Sequence, residues 1–247
     1  MENENEFKTK SKKVIDENES ELYQGKELLI DIETYLKSGV HIGTKFKSGD
    51  MKRYIFKRRA DGLIVFNIET IDKRIRMIAK TLASMKPEEI LVVGRKLYAH
   101  QAVKKFASMI GAKPVVGRFI PGTISNPVAR SFTEPKLIIL CDPLADAQAL
   151  KEASESHIPV IALVGSDSLL RNVDIAVPLN NKGRKSLALV FYLLTREVLI
   201  ERKEIDKNAF TAQIEDFEQQ IEETKQKDRR FSSRPTGRRP FNSRRKF

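Results

Sequence analysis

Cys141, Asp142 and Asp146 lie within six residues of one another, and Asp167 follows a second apolar run further along. A thiolate is a nucleophile, and carboxylates at the ends of neighbouring strands could hold Mg²⁺ for phosphoryl chemistry. Each group also has a plainer role. Cys141 closes the apolar run Leu137–Cys141, where a cysteine behaves as an inert small hydrophobe. Asp142 precedes Pro143, the pairing of an N-cap with a first helical residue. Asp146 falls one turn further on, near the positive end of the helix dipole. Asp167 sits between two serines, as loop aspartates do. Capping and turn formation are therefore expected here in preference to catalysis. The phosphate cradles G-x-x-x-x-G-K-S/T and G-x-G-x-x-G are missing. Gly117 and Gly122 around Pro121 make a turn instead. His41, His100 and His157 are far apart and there is one cysteine, so neither a zinc ligand set nor any other cofactor is expected.

The cations point to a different chemistry. Lys52, Arg53, Lys57, Arg58 and Arg59 surround Tyr54 and Phe56. Lysine and arginine neutralise phosphates, and an aromatic face can stack on an exposed base. The competing reading is an edge strand with a charged rim. Lys182, Arg184 and Lys185 follow Asn180-Asn181 at an expected helix start, where free N–H groups, the helix dipole and three cations could face a phosphate. Arg95, Lys96 and Arg118 stand in loops after apolar runs. Arg229, Arg230, Arg234, Arg238 and Arg239 belong to residues 228–247, which carry net +7. The 247-residue chain carries +12 overall, with a pI near 9.7, and residues 1–24 carry −3. A basic body with a basic tail calls for a polyanionic partner. Nothing suggests a membrane: the longest apolar run, 187–194, is far below the roughly 20 residues of a span, and no signal peptide is expected. With no cysteine pair, a reducing cytosol fits.

The elements that position these groups follow from periodicity. Residues 1–24 are polar and charged, an expected disordered arm. A short helix runs from Leu28 to Gly39, with Leu29, Ile32 and Leu36 on one side. Apolar runs at 63–68, 90–93, 114–116, 137–141 and 160–164, with a shorter piece at 175–177, alternate with helical patterns at 70–85, 97–110, 143–156 and 184–203. That alternation predicts βαβ units: a three-layer, doubly wound α/β fold with a mainly parallel sheet of about five strands. After Glu204 the spacing of Phe210, Ile214, Phe217 and Ile221 predicts an acidic amphipathic helix over 208–226. It is expected to pack on its own domain rather than in a protein partner's groove. Residues 228–247 resemble arginine-rich segments that order on RNA.

Taken together, these residues resemble the universal small-subunit ribosomal protein two family, in its archaeal–eukaryotic branch, whose eukaryotic members are called ribosomal protein SA. The matching words are Gly39 to Gly43, Tyr54 to Gly62, Gly117 to Thr123 with Asn126, and Glu134-Pro135. They continue in family order with Asp142-Pro143, Ala145-Asp146, Glu152 to Ser154, Pro159 with Ala162-Leu163, Asp167-Ser168, Asp174 to Ala176, Asn180 to Gly183 and Arg196 to Leu199. The resemblance implies a non-enzymatic, ribosome-bound cytoplasmic protein. It would bind small-subunit rRNA near the head–body junction, beside neighbouring small-subunit ribosomal proteins. Bacterial members insert a helical hairpin for which Lys86-Pro87 leaves no room. On this reading 25–204 is the ribosomal core domain. The arm 1–24, the segment 205–227 and the tail 228–247 lie outside the resemblance, and no laminin-binding role carries over.

Overall fold

In the computed structural model, which describes residues 28–205 and 209–220, five apolar runs become one parallel sheet. Its strands are β3 (Ile90–Gly94), β4 (Lys113–Val116), β5 (Leu137–Leu140), β6 (Val160–Val164) and β7 (Ile175–Pro178), in the order β4-β3-β5-β6-β7. Register pairs Val92 with Pro114 and Ile139, and Ala162 with Leu140 and Ala176. Every residue of β3, β5 and β6 is buried, which only strands covered on both faces require.

The helices are α1 (Ile32–Ser38), α2 (Ile68–Ala83), α3 (His100–Ile110), α4 (Ala147–Glu155) and α5 (Arg184–Glu201). Gly39 ends α1 and Gly111 ends α3, both left-handed, at φ 67° and 82°, a conformation glycine adopts without Cβ strain. Asn67 caps α2 by accepting the Glu69 N–H at 2.9 Å. The β3–α3–β4 and β5–α4–β6 crossovers step along the sheet in opposite directions, so right-handed crossings put α3 and α4 on opposite faces. Helix α5 packs against both α2 and α3, with Phe106 meeting Phe191 edge to face at 5.3 Å. On the α4 side, the loop after β4 is tied down by Glu152. Its carboxylate accepts N–H groups from Gly122 at 2.8 Å and Ile124 at 3.4 Å.

Three expectations are corrected. The 63–68 run does not enter the parallel sheet. Ile64–Phe66 (β2) pairs antiparallel with Ile55–Arg58 (β1) in a separate two-stranded ribbon. The turn decides this: Gly62 at φ 83° lets Arg59 N–H reach Leu63 C=O at 2.8 Å and folds the chain straight back. The 143–156 helix begins only at Ala147. Asp142 accepts the Leu144 N–H at 3.1 Å, so it closes a side-chain turn before the helix instead of capping it. Among residues 209–220 there is no long helix. A single 3₁₀ turn, Ile214–Phe217, stands between extended residues. Gln213 and Asp216 satisfy each other's backbone N–H groups at its start, and Phe217 is fully buried. The extended flank lets Phe210 and Phe217 both reach Tyr192, at 5.3 and 6.1 Å. The segment therefore packs on its own domain.

Candidate nucleic-acid interface

The strand order turns back between β3 and β5, the crevice where a doubly wound sheet places a ligand. Here the chain fills it with its own groups. Lys96 forms an ion pair with the buried Asp142, and Arg95 N–H donates to Asp146 Oδ1 at 3.1 Å. Cys141 Sγ lies 3.2 Å from where a side chain on Gly94 would begin. Burial, reinforced by Asp146 and Asp142, pushes the Cys141 thiol well above its usual range, so it is neutral and not a nucleophile. Asp142 and Asp167 each face a lysine. Lys96 neutralises the first and Lys182 the second. Among the described residues no cluster of three His, Cys, Asp or Glu side chains could hold a metal ion.

Asp146 is 2% exposed, and burial raises its carboxyl from 3.8 to about 6, against the pull of the Arg95 N–H. The folded form thus holds a proton that the unfolded chain has already released. This group's contribution to stability is present below about pH 4 and is lost as pH rises to about 6, by at most roughly 3 kcal/mol. Asp146→Asn should remove that loss. Thermal unfolding of both proteins from pH 4 to 7 checks it. The variant's melting temperature should gain on the parent's across the window, and a constant gap would mean Asp146 is ionised throughout.

Folding divides the cations into spent and available ones. At the start of α5, Asn180 Oδ1 accepts the Lys182 and Gly183 N–H groups at 3.2 and 3.1 Å. Arg184 pairs with Glu218 at 2.7 Å. The two N–H groups just before the helix are therefore satisfied internally, and of the three cations expected at this helix start only Lys185 stays exposed and outside the ion pairs. Arg95 donates to the Ala145 carbonyl at 3.3 Å, and Arg118 is exposed.

The β1–β2 ribbon stands apart from these. Lys52 and Arg53 sit on a 3₁₀ turn, Asp50–Tyr54, that leads into β1. Arg53 and Arg74 stand over the Tyr54 ring at 4.9 and 5.5 Å, and Arg74 donates to the Tyr54 hydroxyl at 3.4 Å. Two guanidiniums therefore compete with any base for that ring. Lys57 lies 5.8 Å from the half-exposed Phe56 ring. Arg58 donates to Gly62 C=O at 3.2 Å, and Arg59 lies 3.8 Å from Asp61. His41, beneath the ribbon, is 4% exposed. Burial first, and Arg59 second, lower its pKa to about 4, so it is neutral and adds no cation. Arg229, Arg230, Arg234, Arg238 and Arg239 lie outside the described residues, as does the arm 1–24.

Residues 35–133 and 128–200 match the family model described as Ribosomal protein S2. The chain belongs to that family. Its relatives include three archaeal proteins named small ribosomal subunit protein uS2. That of Ignicoccus hospitalis is 48% identical over 199 residues, covering 79% of this chain and 94% of the relative. Those of Picrophilus torridus and Thermoplasma acidophilum are 46% and 48% identical over 196 residues, each covering 79% of this chain and 98% of the relative. These relatives place it in the archaeal–eukaryotic branch of the S2 family. The S2 match contains the ribbon, the sheet and α5 up to residue 200, and leaves out the 209–220 segment and both terminal regions.

Four exposed residues of this S2-family chain were not singled out by the sequence reading: Lys45, Phe46, Lys47 and Arg171. A local signal existed for three of them, since Lys-Phe-Lys stands between Gly43 and Gly49. Arg171 had none. Its place beside the ribbon depends on the hydrogen bonds that join the 44–50 and 166–170 loops.

Proposed function

We propose that this chain is a structural constituent of the small ribosomal subunit. It binds small-subunit rRNA through the β1–β2 ribbon, near the head–body junction and beside neighbouring ribosomal proteins, in the cytoplasm. The names of its relatives support the ribosomal role, and no catalytic step is assigned to it. One observation carries the choice of surface. Lys52, Arg53 and Arg58 are exposed on a ribbon outside the sheet, with no carboxylate partner among the described residues, whereas Lys96, Lys182 and Arg184 are neutralised by acids. A positively charged ribbon with unneutralised cations attracts a phosphate backbone. Lys57, Arg59, Arg118, Lys185 and the arginines of the tail would extend that surface. Residues 209–220 pack their aromatic rings on Tyr192 of α5, which leaves their outer face for a neighbour.

Replacing Lys57, Arg58 and Arg59 by glutamine tests the surface. Binding to small subunits lacking this protein would be measured across a salt series. The slope of log affinity against log salt should fall by about 0.9 for each phosphate that the variant no longer neutralises. An unchanged slope takes the ribbon out of the interface. Failure of the unmodified protein to co-sediment with small subunits after a moderate salt wash would remove the ribosomal reading itself.

A further inference from the structure

Phe46 is 78% exposed, a large apolar ring left in water between two exposed lysines. Its loop is pinned at both ends. Thr44 N–H donates to Ser166 Oγ at 2.9 Å, and Thr44 Oγ1 donates to Phe46 C=O at 3.1 Å. Ser48 N–H reaches Ser166 C=O at 2.9 Å, and Ser48 Oγ reaches Ser168 C=O at 2.6 Å. Folding thus holds this ring out on an anchored loop, where burial would ordinarily be worth more.

Just past Ser48 opens a cleft of about 650 Å³ lined by Gly49, Asp50, Lys52, Arg53, Leu170 and Arg171. Asp50 Oδ2 accepts the Leu170 N–H at 3.0 Å and so ties the two walls together. Lys52 and Arg171 are exposed and paired with no carboxylate among the described residues, while Arg53 leans over Tyr54. Arg171 is presented by a tight turn, with Val173 N–H on Leu170 C=O at 3.2 Å and Asn172 left-handed at φ 61°, a conformation asparagine tolerates. Phe46 is three residues before Gly49, so their Cα atoms are at most about 11 Å apart. An aromatic face takes any base by stacking, and clustered cations take its phosphate. Paired RNA offers phosphates but no free base face.

We propose that Phe46 and the Lys52–Arg53–Arg171 cleft form a subsite for one unpaired nucleotide of RNA, its base on the Phe46 ring and a flanking phosphate in the cleft. This rests on the rRNA-binding reading above. It adds a place that distinguishes unpaired from duplex RNA, which a row of cations does not.

The chain contains no tryptophan, so Phe46→Trp installs a sole indole at the proposed stacking position. The full-length variant would be titrated with a mixed-sequence single-stranded 12-mer of RNA, and in parallel with the blunt duplex of that sequence. The single strand should quench the indole emission and the duplex should not. Adding Arg171→Gln should shift the quenching to higher RNA concentration and lower its salt slope by about 0.7. Oligonucleotide held elsewhere on the chain, the arginine-rich end included, leaves this local signal unchanged. Emission that stays constant while anisotropy shows the labelled strand bound overturns the subsite. Equal quenching by the duplex, or indifference to Arg171→Gln, also overturns it. In each of these cases, salt-dependent binding of the unmodified protein to small subunits leaves the broader reading standing. If that binding fails too, both readings fall.

Discussion

Asp72→Ala is expected to lower the unfolding free energy by roughly 3 kcal/mol, a large loss for a side chain outside the apolar core. Asp72 is 4% exposed on α2. Its Oδ1 accepts the Leu29 N–H at 3.0 Å and the Tyr35 hydroxyl at 2.9 Å, and its Oδ2 accepts from Arg76 Nε at 2.8 Å. Tyr35 is fully buried. Burial, and then the Asp72 charge, push its phenol well above the usual range, so it stays a neutral donor in need of an acceptor. Alanine at 72 would strand that hydroxyl and the Leu29 N–H together, each at about 1–3 kcal/mol. The Arg76 bond adds little, because that side chain is 42% exposed. Tyr35→Phe removes one donor without stranding the carboxylate and should cost only about 1 kcal/mol. Urea unfolding of both variants decides the matter. Equal losses would mean that Asp72 does not anchor α1 and the segment before it to α2.

Phe217→Ala should release the 209–220 segment from the α3–α5 surface while the sheet domain stays folded. Truncating a buried phenylalanine costs about 3–5 kcal/mol. Apart from the half-buried Phe210, which meets Tyr192 edge to face at 5.3 Å, what else holds the segment is modest. The Arg184–Glu218 pair at 2.7 Å is half-buried, the Lys105–Asp216 pair at 3.9 Å is more open, and Gln101 reaches the Asp216 carbonyl at 3.4 Å. Exposed pairs of this kind contribute at most about 1 kcal/mol each. Losing the ring edge-on to Tyr192 therefore exceeds what the remaining interactions can hold, and the unit opens locally. Hydrogen exchange should show amide protection lost at 214–218 with β3, β5 and β6 unchanged. Full protection at 214–218 in the variant would show that Phe210 and the ion pairs hold the segment without Phe217.

Much of the fold was legible because its signals are local. Runs of Ile, Val and Leu between amphipathic stretches announce buried parallel strands, and Gly39 and Gly111 end helices where they stand in the chain. The same local reading failed at the 63–68 run. Whether an apolar strand joins a parallel sheet or folds back on its neighbour depends on the turn between them, here at Gly62. It failed again over the described residues 209–220, where the spacing of Phe210 and Phe217 also suits two aromatic rings converging on Tyr192 from an extended chain.

By itself the sequence determined the charge balance that calls for a polyanionic partner, since net charge and the interleaving of Lys and Arg with aromatics can be read along the chain. Tertiary structure alone decided which cations remain to meet it. Lys96, Lys182 and Arg184 looked like phosphate ligands along the chain, yet folding brings Asp142, Asp167 and Glu218 onto them. Phe46 drew no attention along the chain, yet the Ser48–Ser168 and Thr44–Ser166 bonds anchor its loop and leave its ring in solvent. Side-chain ion pairs and exposure depend on approaches between distant segments, and those distances exist only once the sheet has formed.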